Sequence, residues 1–363
     1  MNRPYDVFYA TENRYNCSEK QPIKFEVNWY DHLERNSMLQ RILLIAATIT
    51  LLALGVLSLL PYSAWFWSLE LLTHFRIQYL IVSLIVSSVL VILWRTRHLK
   101  SKVLVLAALL LVGLNGVEVI PWYLPHSQQV VSNAAKPIRL LSFNLNIQNK
   151  GDNKAINVVR DNNPDLALFL EVDRETVENL KTELKDTLPY SFRSPAGGLA
   201  LLSRFPIQEA RGDNFNGRGG HNLIATIEVD KQPIELIGTH PLVPVTRKNF
   251  HSRNRQLAAL SNYIRERDRP LILMGDFNLT PWSPYYRRFI NKTKLYNTRL
   301  GFGILPSWPR SATHVHYPKW LIPLMNIPID HCFVSKHFKV ARIYTGANAN
   351  SDHASLITEL VLR

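Results

Sequence analysis

The sequence predicts a layered α/β sandwich carried behind three membrane-spanning helices. Three observations lead there. Long apolar runs are concentrated before residue 125, and after Ile138 short apolar runs alternate with amphipathic stretches. Several of those short runs also stop on a polar residue able to bind a metal or a phosphate.

The apolar runs come first. Ile42–Leu60 holds no charged residue, the stretch from about Tyr79 to Trp94 is rich in Val, Ile and Leu, and that from about Val103 to Leu124 carries Glu118 near its far end. A bilayer core demands roughly 20 apolar residues per helix. The second run reaches that length only if the aromatic segment before it contributes. Helices of a soluble bundle show polar faces at a period of about 3.6 residues, and these runs show almost none. A cleaved signal peptide is disfavoured, because the first run begins far into the chain and two more follow. The connection Arg95-Thr-Arg97-His-Leu-Lys100-Ser-Lys102 is dense in cations, whereas the one before it holds Arg76 among Trp65, Phe66, Trp67 and Phe75. By the positive-inside rule, residues 1–40 are expected in the cytoplasm and 41–124 form a three-helix transmembrane region. A polar linker, 125–137, then leads to a domain, 138–363, on the extracytoplasmic face, making a multi-pass membrane protein.

The formal net charge is +14, most of it after Ala135. Such a balance suits a phosphate-bearing substrate or an anionic membrane surface, and equally a need for solubility. The two cysteines, Cys17 and Cys332, fall on opposite sides of the membrane in this topology. They exclude a cysteine-based metal site and disfavour a disulfide.

Within the domain, Ile138-Arg-Leu-Leu-Ser-Phe-Asn144 and Leu166–Leu170 read as strands, with helical spacing at Lys154–Asn162 between them and Asn163-Pro164-Asp165 as a stop. Further strands fit Leu199–Ser203, Asn222–Val229, Ile234–Thr239, Leu271–Met274, His331–Val334 and Leu356–Leu362. Helices fit Glu175–Leu184 and Asn254–Arg265. Many strands with a few interspersed helices suggest the sandwich.

The polar stops are Asn144-Leu-Asn146, Glu171, Thr239-His240-Pro241, Gly275-Asp276-Phe277-Asn278, Ile329-Asp330-His331 and Ser351-Asp352-His353. Each has a plainer explanation when taken singly. A Glu after a strand is usually a solvated terminus, and Gly, Asp and Asn all favour turns. It is the ordered series that points to chemistry.

In this order the residues resemble the endonuclease/exonuclease/phosphatase superfamily, the DNase I-like proteins. That group includes DNase I, abasic-site endonucleases, neutral sphingomyelinases and inositol polyphosphate 5-phosphatases. Gly198-Leu-Ala-Leu-Leu-Ser203-Arg204-Phe-Pro206 matches a framework segment of the group, and the resemblance covers nearly all of 138–363. Three spans ahead of such a domain are also similar to the VanJ-like membrane proteins. The resemblance implies a four-layer αββα sandwich and a metal-dependent phosphoesterase using Mg2+ or Mn2+. It implies Glu171, Asn144 and Asp352 as metal ligands, and His353 paired with Asp330 and protonated near the phosphate. Asp276 would position or activate the attacking water, and Asn278 and His240 would hold phosphoryl oxygens.

Two departures from the group stand out. Asn146 lies where some nucleases carry Asp, and extended DNA-binding loops are not identifiable. Leu305–Pro328 instead carries Trp308, His314, His316 and Trp320, which suits either contact with a lipid or bilayer near the site or an irregular cover over the sheet. His221 is a further candidate for the site. The expected activity is hydrolysis of a phosphate ester or pyrophosphate at the extracytoplasmic face, with a lipid phosphate as the leading candidate. The alternatives are a membrane-tethered nuclease acting on nucleic acid and an inactive scaffold. No protein partner is expected.

Overall fold

The computed structural model describes residues 29–62, 65–129, 137–149, 152–217, 221–316 and 318–363. Cys17 with most of the expected cytoplasmic segment, most of the expected linker, and the Arg218-Gly-Gly run ahead of His221 lie outside the described residues.

Four helices open the described chain: α1 (Trp29–Leu59), α2 (Trp67–Leu72), α3 (Arg76–Arg95) and α4 (Lys102–Val119). They supply three helical segments long and apolar enough to cross a membrane, Met38–Tyr62, Trp67–Arg95 and Lys102–Tyr123. The second reaches this length because the aromatic segment is helical, α2 running through a 3-10 turn into α3. The cation-rich connection between α3 and α4 ends on Ser101, whose side chain accepts from Leu104 N and caps α4. A seam of Leu51, Leu54, Leu90, Leu93, Ala108 and Leu111 packs the helices together. Leu52, Val56, Ile85, Leu110 and Val117 face outward and stay exposed. Helices apolar on both faces call for an apolar solvent around them.

Beyond Ile138 two six-stranded sheets form. The first holds β1 (Ile138–Asn144), β2 (Leu166–Val172), β3 (Tyr190–Arg193), β4 (Gly198–Ser203), β11 (Phe338–Thr345) and β12 (Leu356–Leu362), in the order β11-β12-β1-β2-β4-β3. The second holds β5 (Ile207–Asp213), β6 (His221–Val229), β7 (Gln232–His240), β8 (Leu271–Asp276), β9 (Tyr296–Asn297) and β10 (Asp330–Val334), in the order β5-β6-β7-β8-β10-β9. Leu140, Leu168, Leu201, Leu236, Ile272 and Leu356 pack between the sheets. On the outside of the first sheet, α5 (Asp152–Asn162) and α6 (Arg174–Leu184) close over Phe143 and Phe169. On the outside of the second, α7 (Arg247–Arg265) and α8 (Pro284–Thr293) close over Leu273 and Phe333. The result is the expected four-layer αββα sandwich. Central strands covered on both faces read as unbroken apolar runs, which is why β1, β2 and β8 are visible in the sequence. The sheets approach so closely that a Cβ on Gly238 would stand 2.7 Å from Leu168 Cδ1. Cys332 lies in this inter-sheet core, and burial pushes its thiol up to about 12, as suits a packing residue.

The spans and the sandwich are packed together. Val119 and Trp122 share one apolar cluster with Leu257, Phe277 and Trp282. Gly301 N and Gly303 N both donate to Trp122 O, at 3.0 and 2.8 Å. Trp282 Nε1 donates to Glu118 O at 3.2 Å, Arg287 pairs with the Glu118 carboxylate at 3.1 Å, and Tyr285 Oη donates to Trp65 O at 3.0 Å. The helices therefore form part of the base on which the domain sits.

Candidate active site

Strand direction assembles the site. β1 and β2 are parallel neighbours in one sheet, and β7 and β8 are parallel neighbours in the other. Their carboxyl ends carry Asn144, Glu171, His240 and Asp276. β10 runs antiparallel to β8 and so begins at this edge, with Asp330 opposite Asp276. β12 runs antiparallel to β1, which brings the turn before it, with Asp352 and His353, over Asn144.

Local backbone features aim the side chains. Register between β2 and β4 shifts at Glu171, which sits in this bulge at φ 55°. A bulge turns a strand-end side chain away from its regular direction. Gly275 has φ 145°, and a Cβ there would lie 2.0 Å from Thr239 O, so only glycine lets β8 deliver Asp276 beside His240. Asn146 and Asn278 also lie in the left-handed region, at φ 60° and 48°. Left-handed non-glycine residues persist where the surroundings over-determine them, commonly at functional sites.

The side chains converge closely. Asn144 Nδ2 donates to Glu171 Oε1 at 2.9 Å and to Asp276 Oδ2 at 3.2 Å, and stands 3.5 Å from His353 Nε2. His240 Nε2 lies 3.5 Å from Glu171 Oε1 and 3.8 Å from Asp276 Oδ2. His353 Nδ1 meets Asp330 Oδ2 at 2.8 Å, and its Nε2 lies 3.6 Å from Asp276 Oδ2. Glu171, His240 and Asp276 each offer one ligand atom within 4.8 Å of the others, and Asp276, Asp330 and His353 form a second such group. Asn144, Asp276, Asp330 and His353 are buried, whereas Glu171 and His240 are half-buried at the mouth.

Burial raises Asp276, and the nearby Asp330 charge adds to this, so the carboxyl is pushed up to about 8. Burial would depress His353, but Asp330 and then Asp276 overcome it and lift the imidazole to about 10. Burial opposes ionisation of Asp330 as well, yet the hydrogen-bonded His353 holds it below the usual carboxylate range. His353 and Asp330 are thus a charged pair. Burial, His353 and His221 keep His240 below its ordinary value in spite of Glu171. The carboxylates of Glu171 and Asp276, with the His240 imidazole beside them, make a donor set that suits a divalent cation, with oxygen predominating. A cation held beside Asp276 would favour its ionised form and so oppose the upward shift that burial and Asp330 produce.

All the residues singled out in the sequence lie at this edge, but not in equal roles. Asp352 belongs to neither ligand group: its carboxylate accepts from Asn146 Nδ2 at 2.8 Å and Trp308 Nε1 at 2.9 Å. Asn278 donates Nδ2 to Pro241 O at 3.0 Å and its backbone N–H to Asp276 Oδ1 at 2.8 Å, joining the loops after β7 and β8. His221 pairs with His240 across β6 and β7, and burial lowers its titration. Through Trp308, the 305–328 segment reaches the site edge. Its α9 (Ile322–Met325) is followed by Asn326, whose carbonyl accepts from Gln78 of α3 at 3.2 Å. His331, adjacent to Asp330, points elsewhere; burial and Arg299 depress it to about 3.

Supporting residues were given no role of their own in the sequence reading. Ser351 Oγ donates to Asn144 O at 2.7 Å and accepts from His353 N at 3.0 Å. Ser307 Oγ accepts from Asp330 N at 3.2 Å. Arg253, on α7, donates Nη1 to Asn278 O at 3.0 Å. Ser351 was discoverable within its Ser-Asp-His run. Ser307 and Arg253 act through partners remote in sequence and leave no local signal.

Residues 141–353 match the family described as the Endonuclease/Exonuclease/phosphatase family. Among curated proteins none matches the chain. D. rerio TDP2 complexed with single strand DNA product is similar in fold at a TM-score of 0.51 and 15% identity, covering 62% of this chain and 100% of that one. The endonuclease/exonuclease/phosphatase from Beutenbergia cavernae is similar at a TM-score of 0.50 and 18% identity, covering 63% and 72%. The family protein from Bacteroides thetaiotaomicron is similar at a TM-score of 0.50 and 17% identity, covering 63% and 96%.

Proposed function

Since the chain belongs to the endonuclease/exonuclease/phosphatase family, we propose that it is a membrane-anchored, metal-dependent phosphoesterase acting on a lipid-linked phosphate ester or pyrophosphate at the extracytoplasmic face. One observation carries the catalytic part: the ligand atoms of Glu171, His240 and Asp276 lie within 4.8 Å of one another, beside the charged pair His353–Asp330.

Glu171 and Asp276 would hold a divalent ion such as Mg2+ or Mn2+, with Asn144 bonded to both carboxylates and Asp352 set back behind Asn146. Held there, such an ion would supply positive charge next to a phosphoryl oxygen. Asp276, in its ionised form, would orient the attacking water and take its proton. His353, kept cationic by Asp330, faces the phosphoryl oxygens as their charge develops. His240 stands on the other side of Asp276 for the same purpose, and Asn278 holds the two loops in register.

The lipid part is supported by where the domain sits. It packs on the start of the second span and on the end of the third, remote from the cation-rich 95–102 connection that the positive-inside rule assigns to the cytoplasm. Trp320 and Leu324, 71% and 57% exposed, lie just ahead of Asn326, which is bonded to the head of the second span. Exposed apolar side chains at that level suit the headgroup boundary. Cleavage of nucleic acid is the second reading, favoured by the net charge of +14 and marked by steep loss of binding with salt.

The test is phosphate release from polyprenyl and phospholipid phosphates by the purified chain in detergent with Mg2+ or Mn2+. Plasmid nicking runs beside it, with Glu171→Ala and His353→Ala as controls. Lipid phosphate turnover lost in both variants, without nicking, is the expected result. Nicking without lipid turnover would replace it with the nuclease.

A further inference from the structure

We propose that Glu70, in α2 at the start of the second span, is a positioning residue for the Asp276–Asn278 loop and acts through Arg253. Bracing this loop matters for turnover only if Asp276 and Asn278 do the chemistry assigned to them above.

The connection is continuous and buried. Glu70 projects from α2, and its carboxylate is fully enclosed. Glu70 Oε1 lies 3.2 Å from Arg253 Nη2 and accepts from Ser283 Oγ at 2.7 Å. Arg253 is equally enclosed, and its Nη1 donates to Asn278 O at 3.0 Å. Asn278 N then donates to Asp276 Oδ1 at 2.8 Å. From the next turn of the same segment, His74 Nδ1 meets Thr280 Oγ1 at 2.8 Å. Glu70 and His74 thus hold the loop from outside at three points, Asn278 by way of Arg253, Thr280 and Ser283, and residues 271–284 are buried throughout.

Physical chemistry says why a carboxylate is needed there. A guanidinium enclosed without a counter-charge is strongly unfavourable, and breaking such a pair costs far more than an exposed ion pair is worth. Among the described residues, Glu70 is the acidic residue paired with Arg253, and the sandwich itself supplies no other. Without Glu70 the guanidinium is drawn toward water and releases Asn278 O. Asn278 sits at φ 48°, a conformation that needs outside support, so its loop relaxes and the backbone N–H leaves Asp276. A pair that only docks the two halves would weaken the whole molecule without singling out this loop.

The test uses the full chain in detergent and compares Glu70→Ala, Glu70→Gln and Glu70→Asp. Two readouts are taken: hydrogen exchange of peptides covering 276–283 against those covering β1 and β6, and turnover of bis(p-nitrophenyl) phosphate with Mn2+. Glu70→Ala is expected to lose protection at 276–283 while β1 and β6 keep theirs. Its kcat is expected to fall roughly 10²-fold, the cost of an ångström-scale misplacement, with KM little changed. Glu70→Gln keeps an acceptor for Ser283 and is expected to recover part of both. Should Glu70→Ala fail to fold, Glu70→Asp, which keeps the charge but withdraws it, is expected to show the same local loss more mildly. Unchanged protection at 276–283, or local loss with wild-type kcat, would overturn the proposal. So would a uniform loss of protection across β1, β6 and the loop. If the wild-type chain turns over no phosphoester, the hydrolase reading fails by itself. Hydrogen exchange then decides the brace alone, wild-type protection in the variants overturning it.

Discussion

Replacing Asp330 by Asn isolates what a single carboxylate does for His353. The two meet at 2.8 Å, both buried, and Asp330 is the main reason the imidazole is lifted to about 10 against the opposing effect of burial. Asn can still accept a hydrogen bond at this place but carries no charge. Returning His353 from about 10 to its ordinary 6.5 removes roughly 5 kcal/mol of preference for the cation, at about 1.4 kcal/mol per pK unit. The sign follows directly. The raised group carries its proton up to about 10 in the wild type, whereas in Asp330→Asn it loses the proton as pH rises through about 6.5 or below. At about pH 8, only about 3% of the variant would hold the imidazolium, so kcat/KM is expected to fall at least 30-fold. At about pH 6 most of that deficit is recovered. Initial rates on a chromogenic phosphodiester across this range provide the assay. An equal loss at both ends, leaving the two pH profiles parallel, would mean that Asp330 does not set the charge of His353.

Glu171→Ala is expected to weaken Mn2+ binding by more than the roughly 10–100-fold that loss of an outer partner costs, read by titration calorimetry on the full chain. Unchanged affinity would remove Glu171 from the metal site. In EDTA the thermal midpoint should fall as pH rises from about 7 to 9, because folded Asp276 and His353, raised to about 8 and about 10, hold protons that the unfolded chain has already released. Saturating Mn2+ should blunt that fall by replacing the proton on Asp276; the same slope with and without metal would contradict it. Gly275→Ala should prevent a working site from forming, since its Cβ would meet backbone at 2.0 Å, while Gly238→Ala, facing a movable Leu168 side chain at 2.7 Å, should cost about 1–3 kcal/mol in chemical denaturation. A reporter fused after Arg363 should be active outside the cytoplasm; activity only inside would reverse the topology.

The parts of this molecule that are easiest to read in the sequence are those with the most regular surroundings. β1, β2 and β8 are sandwiched between layers, so their apolar runs are uninterrupted and the polar residue that ends each run stands out. Those endings assembled the site, since parallel pairing puts them on one edge. Edge strands left a weaker trace: β3 is four residues long and β5 is largely polar, because neither is covered on both sides. α2 was hidden in the aromatic segment ahead of the second apolar run, where no apolar periodicity marks a helix. Asp352 shows the limit within a motif: the resemblance implies a metal ligand there, while its hydrogen bonds from Asn146 and Trp308 leave no trace in the sequence. Glu70 and Arg253 mark a different limit, because neither residue type nor spacing announces a partner in another layer.

β12 lies between β11 and β1, so a central strand of the first sheet is also the last strand of the domain to be synthesised. β1 must wait, one flank unpaired, until everything from α5 to β11 has been made. Pairings between such distant segments form slowly, because a large loop must close before any contact rewards it. The same segment that completes the sheet also brings in His353, and Ser351 fastens it to Asn144. A nascent chain short of this point has Glu171 and Asp276 but no imidazolium between Asp276 and Asp330. A chain stopped before Ser351 lacks both the fastening to Asn144 and the partner of Asp330, and on the proposed chemistry it is expected to release no phosphate.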